Sequence, residues 1–149
     1  MIIGYTTGVF DMFHIGHLNI LRRAKERCDF LVVGVSTDEL VKEYKHKTPV
    51  IPLEQRLEIV RAIRYVDSAV RQDSRDKFAA YKEFGFQRLF VGSDWKGTEF
   101  WNDVEKQFAP FGVEIAYLPY TEGISSTKLR ESIKKEDLLP PGLITGGGY

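Results

Sequence analysis

The 149-residue chain has one cysteine, Cys28, so neither an intramolecular disulfide framework nor a cysteine-rich zinc site can be built from it. It has no net charge, with 21 Lys+Arg against 21 Asp+Glu. A binder of bulk nucleic acid or of a membrane surface needs a basic excess, and none is present. No apolar run approaches the ~20 residues of a membrane span, and a basic-then-apolar leader is missing at the N-terminus. The expected location is therefore the cytoplasm. The dinucleotide fingerprint G-x-G-x-x-G is also absent. Gly92–Thr98 imitates a phosphate loop but lacks the lysine between the second glycine and the threonine.

What is there is a soluble-protein balance of 43% apolar and 28% charged residues, in a length that suits one domain. Short apolar runs alternate with helix-period segments. Ile2–Thr7, Phe30–Ser36, Leu89–Gly92 and Glu114–Leu118 read as buried strands, with Val66–Val70 a weaker fifth. Helical spacing marks His17–Cys28, Leu53–Ile63, Asp76–Phe84 and Phe100–Phe108, and a last helix is expected from about Ser126 to Lys134. Alternation with short connections implies an α/β fold: one Rossmann-like, doubly wound, parallel five-stranded sheet with helices on both faces. Residues 1–137 are expected to form this domain, followed by a flexible tail over 138–149 that contains Pro140-Pro141 and Gly146-Gly147-Gly148.

In such sheets the ligand lies beyond the carboxyl ends of the strands. The first strand leads into Thr7-Gly8-Val9-Phe10-Asp11-Met12-Phe13-His14-Ile15-Gly16-His17 and then a helix. Gly8 allows close backbone approach, and the helix start offers unpaired amides to an anion. His14 and His17, three apart, share that start, which makes a phosphate site able to stabilise a pentacoordinate phosphorus. A metal reading of the histidine pair wants a third ligand, for which Asp11 is the close candidate. It accounts for neither the glycines nor the strand–loop–helix setting. Late in the chain, Thr121-Glu122-Gly123-Ile124-Ser125-Ser126-Thr127 forms a second hydroxyl- and amide-rich junction.

Together these stretches resemble the nucleotidyltransferase superfamily with an early H-x-G-H and a late I-S-S/T-T motif. Within it the chain looks most like the cytidylyltransferases, in particular those acting on glycerol 3-phosphate. Gly34–Glu39, Arg64-Tyr65-Val66-Asp67 and Gly92-Ser93-Asp94-Trp95 also match, in the family's order. The resemblance implies transfer of CMP from CTP to a phosphorylated small alcohol, with release of pyrophosphate. His14 and His17 would act at the α-phosphate. Gly8, Val9, Phe10, Asp11 and Gly16 would surround the nucleotide, and Thr121, Glu122, Gly123, Ile124, Ser125, Ser126 and Thr127 would hold its phosphates. Mg²⁺ would accompany CTP, and a homodimer is implied.

The resemblance further places two lysines in a loop after the second strand. Lys45, with a catalytic role, and Lys47 match if one residue is inserted; otherwise Tyr44 and His46 fall there. The surrounding charge run, with Lys42 and Glu43, reads as a solvated face. Asp38, Lys45, Arg64 and Lys77 are the acceptor candidates. Arg64 has a structural alternative in a salt bridge to Asp67, or a contact with a partner subunit. Asp94 could accept from the cytosine amine, and Trp95 either packs beside the base or lies in the core. Where the family carries Arg before Thr-Glu-Gly-Ile-Ser, this chain has Tyr120, counted here among the nucleotide contacts. A phenol cannot bind phosphate bidentately, so either another cation supplies that contact or the acceptor differs. Three alternatives stand beside the leading one: CTP-dependent transfer to another phosphorylated alcohol or amine, ATP as the nucleotide of an adenylyltransferase, and a nucleotide-binding module without turnover.

Overall fold

The computed structural model describes residues 1–121. The expected last helix and tail lie outside the described residues. Five strands, β1 (Ile3–Gly8), β2 (Phe30–Ser36), β3 (Ser68–Gln72), β4 (Arg88–Gly92) and β5 (Glu114–Leu118), form one sheet in the order β3-β2-β1-β4-β5. Every pairing is parallel. The chain steps outward from β1 to β2 and β3, then crosses to β4 on the other side of β1. The switch point therefore lies between β1 and β4, as the doubly wound reading requires.

The helices are α1 (Ile15–Lys25), α2 (Asp38–Lys45), α3 (Leu53–Arg61), α4 (Lys77–Phe84) and α5 (Glu99–Phe108). Alternate residues of β2 feed two separate cores. Leu31, Val33 and Val35 pack with Leu21 and Ala24 of α1 and with Leu53, Leu57 and Val60 of α3. On the opposite face, Val32 joins Tyr5 and Leu89 against Phe78 and Tyr81 of α4 and Trp101, Val104 and Phe108 of α5. Helices thus cover both faces, α1 and α3 on one and α4 and α5 on the other.

Most boundaries shift by a few residues from the sequence reading, and three differences have a clear local reason. Helix α1 starts two residues earlier than His17 because His14 caps it. Strand β3 begins at Ser68, after Val66 has packed into the α1–α3 core and Asp67 has accepted the Leu31 amide. The charge run after β2 is not a loop. Thr37 caps it through the Leu40 amide at 3.1 Å, Asp38 and Glu39 occupy its first turn, and it stays helical to Lys45. His46 ends it with φ of 57°.

Candidate active site

The carboxyl ends of the strands open into a cleft of about 360 Å³, within the range of small-molecule sites. Its floor is the loop after β1. Gly8 is required there, because a Cβ would stand 2.9 Å from the Phe10 ring. Phe10 and Met12 both adopt positive φ, 54° and 50°, and the Asp11 carboxylate between them accepts from the Val50 and Ile51 amides at 2.8 and 2.9 Å. Asp11 therefore ties the floor to the segment before α3. That structural task is distinct from metal ligation, and no metal-holding cluster occurs among the described residues.

At the start of α1 the two histidines form a reciprocal cap. Nδ1 of His14 accepts from the Gly16 amide at 3.0 Å, while Nδ1 of His17 accepts from the His14 amide at 3.2 Å. The rings stack with centroids 3.9 Å apart. With both Nδ1 atoms accepting, each neutral ring carries its proton on Nε2 and can donate only from there. Burial lowers the pKa of His14. His17 is lowered to about 4 by burial, and by His14 beside it, against an opposing pull from Asp11. Both rings are thus neutral donors at pH 7.

His17, Gly8, Val9, Phe10, Asp11, Lys45, Lys47, Lys77, Trp95 and Tyr120 line the cleft. Both lysines of the one-residue insertion reach it, as does Tyr44, while His46 does not line it. Lys77 is only 6% exposed, and its Nζ donates to Thr7 Oγ1 at 2.9 Å. Burial first, and then the Arg75 charge, bring its pKa down to about 7. Trp95 sits 40% exposed at the rim, so the core reading of that indole is corrected.

Other predicted contacts stand away from the cleft wall. His14 stacks on His17, and Gly16 belongs to the cap. Asp38 pairs with the buried Arg56 guanidinium. Arg64 is exposed, and its alternative bridge to Asp67 does not form, because Lys25 takes that carboxylate at 2.6 Å. Asp94 points from the exposed turn after β4 and does not line the cleft. Thr121 accepts from Asn19 at 2.8 Å, which joins α1 to the exit of β5. Glu122, Gly123, Ile124, Ser125, Ser126 and Thr127 lie outside the described residues.

The sequence reading missed Arg56, Arg75 and the Ser36–Gln72 pair. Arg56 is 1% exposed and donates to the carbonyls of Ile51, Val9 and Ser36 as well as to Asp38. It fastens the cleft floor to the ends of β2 and α2. Ser36 donates to Gln72 at 2.8 Å on the cleft wall, and Arg75 lines the cleft beside Phe100 and Trp101. Helical periodicity marks Arg56 as just another polar position of α3, so no sequence signal separates it from its neighbours.

A cytidylyltransferase-like family model matches residues 5–132. The chain belongs to this family. It is 36% identical over 133 residues to a glycerol-3-phosphate cytidylyltransferase of Staphylococcus aureus, covering 89% of this chain and 95% of that one. It is also 36% identical over 131 residues to an FAD synthase of Archaeoglobus fulgidus, covering 85% and 93%. Among solved structures, a lipopolysaccharide core biosynthesis protein of Thermoplasma volcanium superposes with a TM-score of 0.68 at 26% identity, covering 81% of this chain and 97% of that one. This cytidylyltransferase-like chain is accordingly a nucleotidyltransferase with the Rossmann-like fold expected of it. Among the described residues, no helix is long and apolar enough to cross a membrane.

Proposed function

We propose that the protein transfers CMP from CTP to a phosphorylated small alcohol, with glycerol 3-phosphate the first candidate. An oxygen of the acceptor phosphate forms a bond to the α-phosphorus as the bond from that phosphorus to the β-bridging oxygen breaks. Pyrophosphate leaves and a CDP-alcohol remains. The reciprocal His14–His17 cap carries this reading, since it leaves a neutral Nε2–H donor of His17 on the cleft lining at a helix N-terminus, with the neutral His14 ring stacked on it. Charge that builds on the α-phosphate oxygens in the transition state is what such donors stabilise. The acceptor phosphate is already an anionic nucleophile, so the step needs no side-chain base. Lys45 and Lys47 supply cations on flexible stems where the two anionic substrates meet.

Mg²⁺ enters as the counterion of the triphosphate. Among the described residues, Asp11 is the one carboxylate lining the cleft, and it already holds two backbone amides. That donor set fits a metal held mainly by phosphate oxygens and water. The exposed Arg64 and the exposed Ile15 and Val50 lie outside the cleft and are compatible with the homodimer that the sequence resemblance implies.

Pyrophosphate release with CTP or ATP, Mg²⁺ and a panel of phosphorylated acceptors tests the proposal. Turnover with CTP and glycerol 3-phosphate is the expected result. ATP is the second reading, favoured by the likeness to an enzyme that makes an adenine dinucleotide. Turnover with ATP alone would replace CTP in the scheme.

A further inference from the structure

The cleft carries a second cationic wall, on the face of the sheet opposite α1. Arg75 lies in the connection between β3 and α4, with its guanidinium carbon 4.8 Å from the Tyr44 ring centre and 4.5 Å from that of Phe100. Tyr44 comes from α2 and Phe100 from α5, so two separate elements grip one guanidinium. Stacking of this kind fixes the group while leaving its N–H edge able to donate. Among the described residues, no hydrogen bond or ion pair engages that edge. Two positions on, Lys77 holds its Nζ at the end of β1 on Thr7, near enough for the Arg75 charge to bear on it. A guanidinium beside an amine that an anion would protonate, in a cleft whose one carboxylate among the described residues is already engaged, forms a site for an anion.

The position of this wall says which anion. The histidine cap is on α1, which packs on one face of the sheet, whereas Lys77 belongs to α4 and Phe100 and Trp101 to α5, on the other. In-line transfer at phosphorus requires attacking and leaving groups on opposite sides of the reacting atom. With the leaving pyrophosphate on the α1 side of the α-phosphate, the acceptor approaches from the α4–α5 side. We propose that Arg75, clamped between Tyr44 and Phe100, binds the dianionic phosphate of the acceptor, and that Phe100 and Trp101 confine it to a small phosphate monoester. This rests on the transfer proposed above. It also gives the cleft a guanidinium that Tyr120 does not provide.

The experiment measures steady-state pyrophosphate release by wild type, Arg75→Met and Arg75→Lys, with acceptor and nucleotide varied separately. Loss of a charge-assisted bidentate contact should raise the acceptor KM by at least ~30-fold in Arg75→Met, with the nucleotide KM within ~3-fold of wild type. Arg75→Lys, which keeps the charge but not the fork, should fall between, and this guards against a merely misfolded methionine variant. An unchanged acceptor KM, or a rise confined to the nucleotide KM, overturns the assignment while leaving the transfer reaction intact. If the wild type turns over no acceptor, the transfer reading itself fails. Calorimetric titration with glycerol 3-phosphate then decides: binding to wild type that is lost in Arg75→Met supports the site, and equal or absent binding in both overturns it.

Discussion

The phenol of Tyr120 occupies the space that a side chain at Gly92 would fill. A Cβ built at Gly92 overlaps the phenolic oxygen and the ring carbons next to it. Gly92 itself, at the end of β4, has an ordinary extended backbone with φ of −64°, so the glycine serves the neighbour's ring and not a strained turn. Burial raises the phenol's pKa above its usual 10.0.

Gly92→Ala should therefore evict the ring without unfolding the strand. The overlapping atoms are the far end of a side chain already 44% exposed, so the stability cost should stay at about 1 kcal/mol. The ring's position has its own readout. Ultraviolet titration, differenced against Tyr120→Phe, should show the Tyr120 phenol falling back toward 10 in Gly92→Ala. An unmoved titration would mean the ring is not held by Gly92.

The histidine cap joins a structural and a chemical task that substitution can separate. Asn at position 14 keeps a cap acceptor but has no Nε2 donor. His14→Asn should retain most of the thermal stability yet lower kcat by more than ~100-fold. His14→Ala should lose the same activity and about 1 kcal/mol of stability besides. His17→Ala, which removes the donor that lines the cleft, should likewise cost more than ~100-fold in kcat with the fold intact. Near-normal turnover in any of these variants would remove the proposed role of the pair.

The parallel sheet was legible because strands buried on both faces read as continuous apolar runs, as Phe30–Ser36 does. The histidine pair was legible because a helix start brings positions three apart together. Helix α2 was hidden because only Leu40 and Val41 of its eight residues are buried, which leaves charge to dominate the pattern. Its signal was the Thr37 cap with Asp38 and Glu39 in the first turn. The Arg75 clamp has no local signal at all. Tyr44, Arg75 and Phe100 are distant in sequence, and only the strand order β3-β2-β1-β4-β5 brings their elements to one rim.

Arg56 ties β2, the loop after β1 and the start of α2 into one unit through a fully buried guanidinium. Arg56→Met would leave three carbonyls and the Asp38 carboxylate without their donor. Stranding buried groups in this way costs about 3 kcal/mol, which chemical denaturation should register as a lower midpoint at unchanged slope. A loss under about 1 kcal/mol would show that water replaces the guanidinium without difficulty.

Lys77 makes anion binding a proton-coupled event. Burial holds its pKa near 7 against 10.5 in the unfolded chain, so between those values the unfolded chain carries a proton that the folded chain lacks. Stability from this group therefore rises with pH across that window and is lowest below pH 7, where a buried charge must be tolerated. An anionic ligand beside the amine reverses the burden and draws the pKa back up. Binding of CTP with an acceptor phosphate at pH 8 should thus take up most of one proton. Titration calorimetry in two buffers of different ionisation enthalpy measures that number directly. Lys77→Met should abolish the uptake and flatten the rise of the melting temperature between pH 7 and 10. Equal uptake by wild type and Lys77→Met would place the proton elsewhere, and Lys77 would then be a packing residue that happens to face the cleft.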